Sequence, residues 1–290
     1  MISLKKNIFR IIIVLFLGLF SFYYTEKVID FIRESDPIMK KIKSENLNFE
    51  VSAIDAKIED NKIIPGVNGK KVDYNSSYQK MKKYGTYNES LTVFEEVVPT
   101  ISVDDYYDKY ISAGSGFRND VSLVFVVKQN DDPTQILEIL KQANAVATFF
   151  VDGLWLENNN DLAASMKNNN HEIEILSYDN RYEELYFSSS LNLVNRLTNI
   201  KPKYCYAKYD SKEVLELCEK LQLHTIIPTI TTGNYPYSDV KKKLTRGSII
   251  SFDINSSTRI ELPTIIQYIK QKGYTVVTLD SLLSEAIDEK

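Results

Sequence analysis

The sequence predicts an α/β protein whose main body is built from βα units, preceded by a small α+β module and an N-terminal transmembrane helix. Three observations carry this. From about residue 120, short continuous apolar runs alternate with segments whose apolar residues recur at helical spacing. Before that, residues 51–115 hold short alternating stretches broken by Pro-Gly and Asn-Gly turns. At the front, residues 11–24 read IIIVLFLGLFSFYY behind Lys5, Lys6 and Arg10.

The apolar stretch, counted from Ile8, is just long enough to span a bilayer, and Arg10 can snorkel to the interface. It ends through Phe22, Tyr23, Tyr24, Thr25 and Glu26, without the small residues that a signal-peptide cleavage site needs. We therefore expect an uncleaved anchor over 1–25, with the N-terminus cytoplasmic and the body extracytoplasmic, because flanking basic residues stay inside. Residues 26–50 carry both charge signs and read as a stalk, a helix broken near Pro37.

Within 51–115, alternate apolar residues Ile54, Ala56 and Ile58 suggest a strand, and Asp60-Asn61 suggests a turn into a second strand over Lys62–Ile64. Residues 78–84 read as a short helix ended by Gly85, and 91–98 as another strand. Asp104 and Asp105 read as a solvated helix start, and Ala113-Gly-Ser-Gly116 as a linker.

The body begins with SLVFVV at 122–127, a run expected of a strand buried on both faces. Ile136, Leu137, Leu140 and Ala143 form a helical stripe, followed by strand ATFFV at 147–151. A helix over 162–167 and strand EIEIL at 172–176 come next. Val214, Leu215, Cys218 and Leu221 lie on another stripe, before strands at 224–227 and 248–252. Leu262, Ile265, Ile266 and Ile269 repeat at helical spacing up to Gly273, and TVVTL at 275–279 is the last clear strand. Such alternation implies parallel pairing, without deciding whether the sheet is open or closed.

Composition limits the chemistry. A chain of 290 residues, 43% hydrophobic and 26% charged, is not wholly disordered. Net charge is −4, and the first 32 residues carry four basic against two acidic groups, so the body is net acidic. That argues against nucleic acid as a partner. His171 and His224 are the only histidines, so chemistry needing three imidazoles from one chain is excluded by counting. Cys205 and Cys218 exclude a disulfide framework and a four-cysteine zinc site. One bond between them is compatible with the sequence, but we expect two unpaired thiols.

Over roughly 120–284 the chain resembles the polysaccharide deacetylase (NodB-homology) family. Three ordered stretches carry the resemblance: 122–153, ending in ATFFVDG; NHEIEILSYDN at 170–180, similar to the family's GHEIGNHTYSH; and RGSIISFDI at 246–254 with the following helix and TVVTLDSLL. The resemblance implies a distorted (β/α) barrel that removes acetyl groups from glycans outside the cell, using a metal held by an Asp and two His, a general base and a general acid. Carried over residue by residue, the family's paired aspartates (TFDDG) fall on Val126 and Val127. Its metal histidines (HxxxH) fall on Leu176 and Asn180. The late His falls on Phe252, leaving Asp253. The Arg-x-Pro motif falls near 204–208 (YCYAK), and the last carboxylate near 229–231 (TIT). Every group that carries the reaction is replaced, so the resemblance implies a degenerate member with no catalytic residue, no metal and no cofactor. We expect His171 to be structural, and Asp131 and Asp132 to belong to a helix N-cap region.

The loops after the strands are rich in tyrosine, and aromatic faces stack on sugar rings or anchor protein interfaces. Tyr178, Tyr204, Tyr206 and Tyr235, with Asp253, form the candidate ligand cleft. The expected protein is membrane-anchored and catalytically inactive, and binds cell-wall glycan or another envelope protein as a partner or regulator. Two alternatives stand beside it. One is a metal-dependent deacetylase with a divergent site built on Asp253, Asp179 and Asp131; the other is a purely structural envelope protein.

Overall fold

The computed structural model describes residues 2–287. Along the chain it places α1 (Ile2–Ser35), α2 (Pro37–Glu45), β1 (Lys57–Glu59), β2 (Lys62–Ile64), β3 (Gly69–Val72), α3 (Tyr74–Tyr84), β4 (Phe94–Val97) and β5 (Tyr110–Ile111). There follow β6 (Asp120–Val127), α4 (Thr134–Gln142), β7 (Thr148–Asp152), α5 (Gly153–Asn158), α6 (Asn160–Asn168), β8 (Glu172–Ser177), α7 (Glu184–Thr198) and β9 (Tyr204–Tyr206). The chain continues through α8 (Lys212–Lys220), β10 (His224–Ile226), β11 (Ile230–Thr231), α9 (Pro236–Lys243), β12 (Ile249–Asp253), α10 (Ser256–Gln271), β13 (Thr275–Val277) and α11 (Leu279–Leu283).

Two compact units result. The smaller combines Met1–Ser52 with Gly69–Val97. Its α1 is one continuous helix, and within it Ile12–Ser35 is long and apolar enough to cross a membrane. Pro37 opens α2, where its missing N–H costs nothing. Asp36, between the two helices, accepts from Ile38 N, Tyr78 Oη and Lys82 Nζ at 2.8, 3.0 and 2.6 Å. The hydrogen bond from Lys82 is the main reason its carboxyl lies below the ordinary value. Ile42, Val72 and Met81 form a small core against the antiparallel β3–β4 pair, whose strands are joined through α3. Asp73 caps α3, and Gly85, with φ at 73°, ends it.

The larger unit, Ala53–Asn68 with Val98–Lys290, contains an 11-stranded sheet in the order β1-β2-β5-β10-β9-β8-β7-β6-β12-β11, with β13 on β6. All pairs are parallel except β1–β2. The order has two ends, so this is an open, distorted barrel of alternating strands and helices. Period-2 alternation splits β6 between two cores. Val121, Leu123, Phe125 and Val127 join the core under the helices, while Val124 and Val126 join the interior one. In β8, Ile173 and Ile175 face outward and Leu176 inward. Between β8 and β9 the ladder is short, and the buried Glu174 supplements it by accepting from Lys203 N and Tyr204 N at 3.0 and 2.9 Å. Burial pushes that carboxyl well above its ordinary range.

Four expectations are corrected. The compact units cut across the 51–115 module: β1 and β2 look local in sequence, but β2 pairs with β5 and β5 with β10, which ties 53–68 to the main sheet. The first strand starts at Lys57, because Ile54 instead forms a bridge with Val67. The 113–116 segment is packed rather than a free linker. Gly114 N donates to Gly247 O at 2.8 Å, and a Cβ on Gly247 would sit 2.3 Å from Gly114 O. Finally, Cys205 on β9 and Cys218 on the buried face of α8 are not free thiols but a disulfide with a Cα–Cα separation of 6.5 Å.

Candidate functional site

Parallel pairing brings the C-terminal ends of β6, β8, β9 and β12 to one edge, where sites form in barrels of this kind. A cleft of about 370 Å³ opens there. Val126 and Leu176 form an apolar floor, and Asn180, Tyr206, Lys208 and Asp253 stand around it. Asp253 is the register partner of Val126 and shares its inward face. Val127 and Phe252, one residue out of phase, point to the helix-covered core, where Phe252 stacks 5.3 Å from Phe125. Of the five positions that the resemblance empties of catalytic groups, Val126, Leu176 and Asn180 therefore converge on the cleft, and the other two do not.

Charge in the cleft centres on Asp253. Its Oδ1 accepts from Lys128 Nζ at 2.9 Å and its Oδ2 from Lys208 Nζ at 3.3 Å. Burial raises the Asp253 carboxyl, but the bond from Lys128 and the charges of both lysines outweigh this and hold it below its ordinary value. Asp131 takes the backbone N–H of Lys128 at 2.8 Å, and burial raises its own carboxyl. Tyr206 Oη shares a hydrogen bond of 2.7 Å with Ser251 Oγ, and burial pushes its phenol up to about 12.

The rim is set by a residue outside the cleft lining. Asp152, fully buried at the end of β7, caps α5 by accepting from Leu154 N at 3.0 Å. It also accepts from Ser177 Oγ, Asp179 N and Asn180 N at 2.6, 3.1 and 3.1 Å. These bonds hold a tight turn in which Tyr178 and Arg181 bridge, while Asp179 and Asn180 adopt φ of 52° and 58°. Two consecutive left-handed residues define a type I′ turn, and Asn and Asp tolerate that conformation best. At position 180, where the resemblance expects a ligand, the residue meets a backbone requirement.

The donor set does not fit a divalent metal. Valine and leucine supply no lone pair, Asn180 offers one weak amide oxygen, and Asp253 is already paired with two cations. Among the described residues, no group of three His, Cys, Asp or Glu is placed to hold a metal ion. Both histidines sit at strand starts, away from the strand ends that form the cleft. His171 accepts the Ala147 N–H on Nδ1 at 3.2 Å, and burial lowers its pKa to about 4. His224 stacks 4.3 Å from Tyr107.

The candidate residues expected from sequence are split. Tyr206 and Asp253 line the cleft. Tyr204, at the first position of β9, lies at the other end of that strand and donates to Asp280 Oδ1 at 3.2 Å. Tyr178 packs beside Gly153, donates to Glu157 at 3.1 Å and does not line the cleft. Tyr235 is 72% exposed just before α9 and does not line it either. Alternation puts Tyr204 and Tyr206 on one face of β9, but at opposite ends of the strand, so only Tyr206 reaches the cleft. Sequence reading missed Lys128, Lys208 and Asp152, whereas Tyr182 and Tyr209 lie in the tyrosine-rich loops it singled out. Lys128 directly follows the apolar run of β6, and Asp152 directly precedes Gly153; these positions at strand ends were the available signal.

An open parallel barrel whose strand-end cleft has lost its ligands defines a degenerate carbohydrate deacetylase fold. Residues 115–247 match the polysaccharide deacetylase family model. The chain is similar to protein YlxY of Bacillus subtilis, 28% identical over 269 residues, which cover 86% of this chain and 84% of YlxY. It is also similar to the crystal structure of a wild-type CE4 family pseudoenzyme from Bacillus anthracis. The TM-score is 0.66 and the identity 27%, covering 87% of this chain and 96% of that one. A mutant of that pseudoenzyme, described as having restored enzymatic activity, matches with a TM-score of 0.66 and 26% identity over 87% of this chain and 99% of its own.

Proposed function

We propose that this protein is a catalytically inactive deacetylase-like protein, held at the outer face of a membrane by its N-terminal helix, whose cleft recognises a cell-wall glycan. The observation that carries this is the composition of the strand-end cleft. Val126, Leu176 and Asn180 stand where the family's catalytic and metal-binding groups would be, yet the cavity is kept and is rimmed by Tyr182, Tyr206 and Tyr209. Apolar floor plus aromatic rim suits a sugar ring better than it suits hydrolysis. Similarity to a pseudoenzyme supports the inactive reading. The length of α1 supports the anchor.

The divergent-hydrolase alternative has less support. Asp253 is bound by two ammonium groups, Asp131 is spent on a backbone N–H, and Asp179 pairs with Arg181 at 3.4 Å. Each carboxylate is thus already engaged by a donor or cation of this chain.

Co-sedimentation of the full chain, in detergent micelles, with insoluble peptidoglycan tests the binding role. The wild type is expected to pellet with the polymer, and a Tyr182→Ala/Tyr209→Ala variant to stay largely in solution. Equal retention of both, or no retention of either, contradicts a glycan-recognising cleft.

A further inference from the structure

We infer that the cleft selects an acidic glycan, one bearing a carboxylate or a phosphate, and that Lys128 and Lys208 form its anion grip. This rests on the glycan-recognising reading above and names the chemical class that the cleft takes.

Three strands deliver the charged groups to one place. Asp253 ends β12, Lys128 follows the last residue of β6, and Lys208 lies two residues beyond β9. Each ammonium carries three N–H donors, and Asp253 uses one from each. The side chains of Lys128 and Lys208 are 54% and 40% exposed, so their remaining donors face solvent. Two further carboxylates stand nearby, each with one oxygen engaged by a neighbour. Asp210 Oδ2 takes Asn61 Nδ2 at 2.8 Å, and Asp131 Oδ2 takes the Lys128 backbone N–H at 2.8 Å. The spare donors of the two ammonium groups thus stand above the apolar floor of Val126 and Leu176.

Two like-charged groups are held together by one carboxylate between them. An incoming anion would meet the spare N–H donors of both ammonium groups directly, whereas a neutral N-acetyl sugar would meet them only through its dipoles. Charge-assisted hydrogen bonds are stronger than neutral ones, and lysine grips carboxylate or phosphate as a point charge. Tyr209, 69% exposed, stands beside Lys208 with its ring 5.9 Å from Nζ, in position to stack on the sugar that carries the anion.

The test is calorimetric titration of the full chain in detergent micelles with three probes: an oligogalacturonate, a poly(glycerol phosphate) oligomer and a neutral N-acetylglucosamine oligomer. At about 0.02 M salt, at least one acidic probe is expected to bind about tenfold more tightly than the neutral one. That preference should collapse at about 0.5 M salt. The tighter acidic probe identifies carboxylate or phosphate as the source. A Lys128→Met/Lys208→Met variant with an unchanged circular dichroism spectrum should lose the preference. If the neutral probe binds as well as the acidic ones, or the variant keeps the preference, the anion grip is wrong while glycan recognition stands. If no probe binds, both fail.

Discussion

Asp253 and Val126 are register partners at the ends of β12 and β6, so a carboxylate and an isopropyl group face the same cleft from neighbouring strands. The carboxylate has no acid–base partner across the sheet. Its partners are Lys128 and Lys208, which bind both of its oxygens. In this chain Asp253 organises cations on the cleft wall.

Replacing Asp253 with Asn leaves the two ammonium groups facing each other without their shared counter-charge. Asp253 is about one-third exposed, so solvent screens much of the effect. The expected loss is about 0.5–1 kcal/mol, read from urea unfolding at neutral pH. A loss above about 3 kcal/mol would mean that the carboxylate is a buried keystone, contrary to its exposure.

Asp152 is expected to matter far more. It is fully buried and accepts donors from α5, Ser177 and the 178–181 turn. Asp152→Ala leaves several buried donors unmatched and should cost about 3 kcal/mol or more. Hydrogen exchange at the amides of Asp179 and Asn180 should accelerate, with Asp152→Asn intermediate. Unchanged exchange at those two amides would show that the turn holds itself.

The disulfide closes a short loop from β9 to α8, with a sequence separation of 13. Breaking it by Cys205→Ala/Cys218→Ala should lower stability by about 3 kcal/mol. Thiol titration of the unfolded, unreduced protein should find no free sulfhydryl. Two reactive thiols would return Cys205 and Cys218 to the unpaired state that the sequence suggested.

His171 gives the fold a pH dependence of known sign. Its Nδ1 accepts the Ala147 N–H, which requires the neutral ring, and burial lowers its pKa from 6.5 to about 4. Above pH 6.5 the ring is neutral in both folded and unfolded chains, so its full contribution is present. As pH falls from 6.5 toward 4, the unfolded chain takes a proton that the folded one refuses, and stability falls by up to about 1.4 kcal/mol per pH unit. Proton NMR should place the His171 midpoint near 4, and His171→Gln should flatten stability across that window. A midpoint near 6.5 would refute the assignment.

Much of the main sheet was legible because β6 and β7 are buried on both faces and read as apolar runs, and β8 as an alternation of Glu and Ile ending in Leu176. Helix α7 was not, because its buried stripe includes Ser190 beside Phe187, Leu193 and Val194. That serine donates to Ser177 O at 2.8 Å, a tertiary bond that hydropathy cannot reveal. Strand β9 is three residues with two tyrosines and looked like a loop cluster. The tie of the 51–115 stretch to the main sheet was not legible, because the pairing of β5 with β10 is long-range and leaves no mark in local periodicity. In the cleft, the loss of ligands at 126, 176 and 180 could be read from residue types alone. Gathering Lys128 and Lys208 onto Asp253 could not, since it depends on where three distant strands end. The same limit explains why Tyr204 was grouped with Tyr206 although the strand carries them to opposite ends.

The central claim is that the cleft keeps the deacetylase framework without the atoms that perform hydrolysis. Acetate release from N-acetylglucosamine oligomers, measured on the purified full chain with zinc supplied, tests it most directly. The account predicts a rate equal to the protein-free control, unchanged by Asp253→Asn. Turnover above that control, abolished by Asp253→Asn, would contradict it.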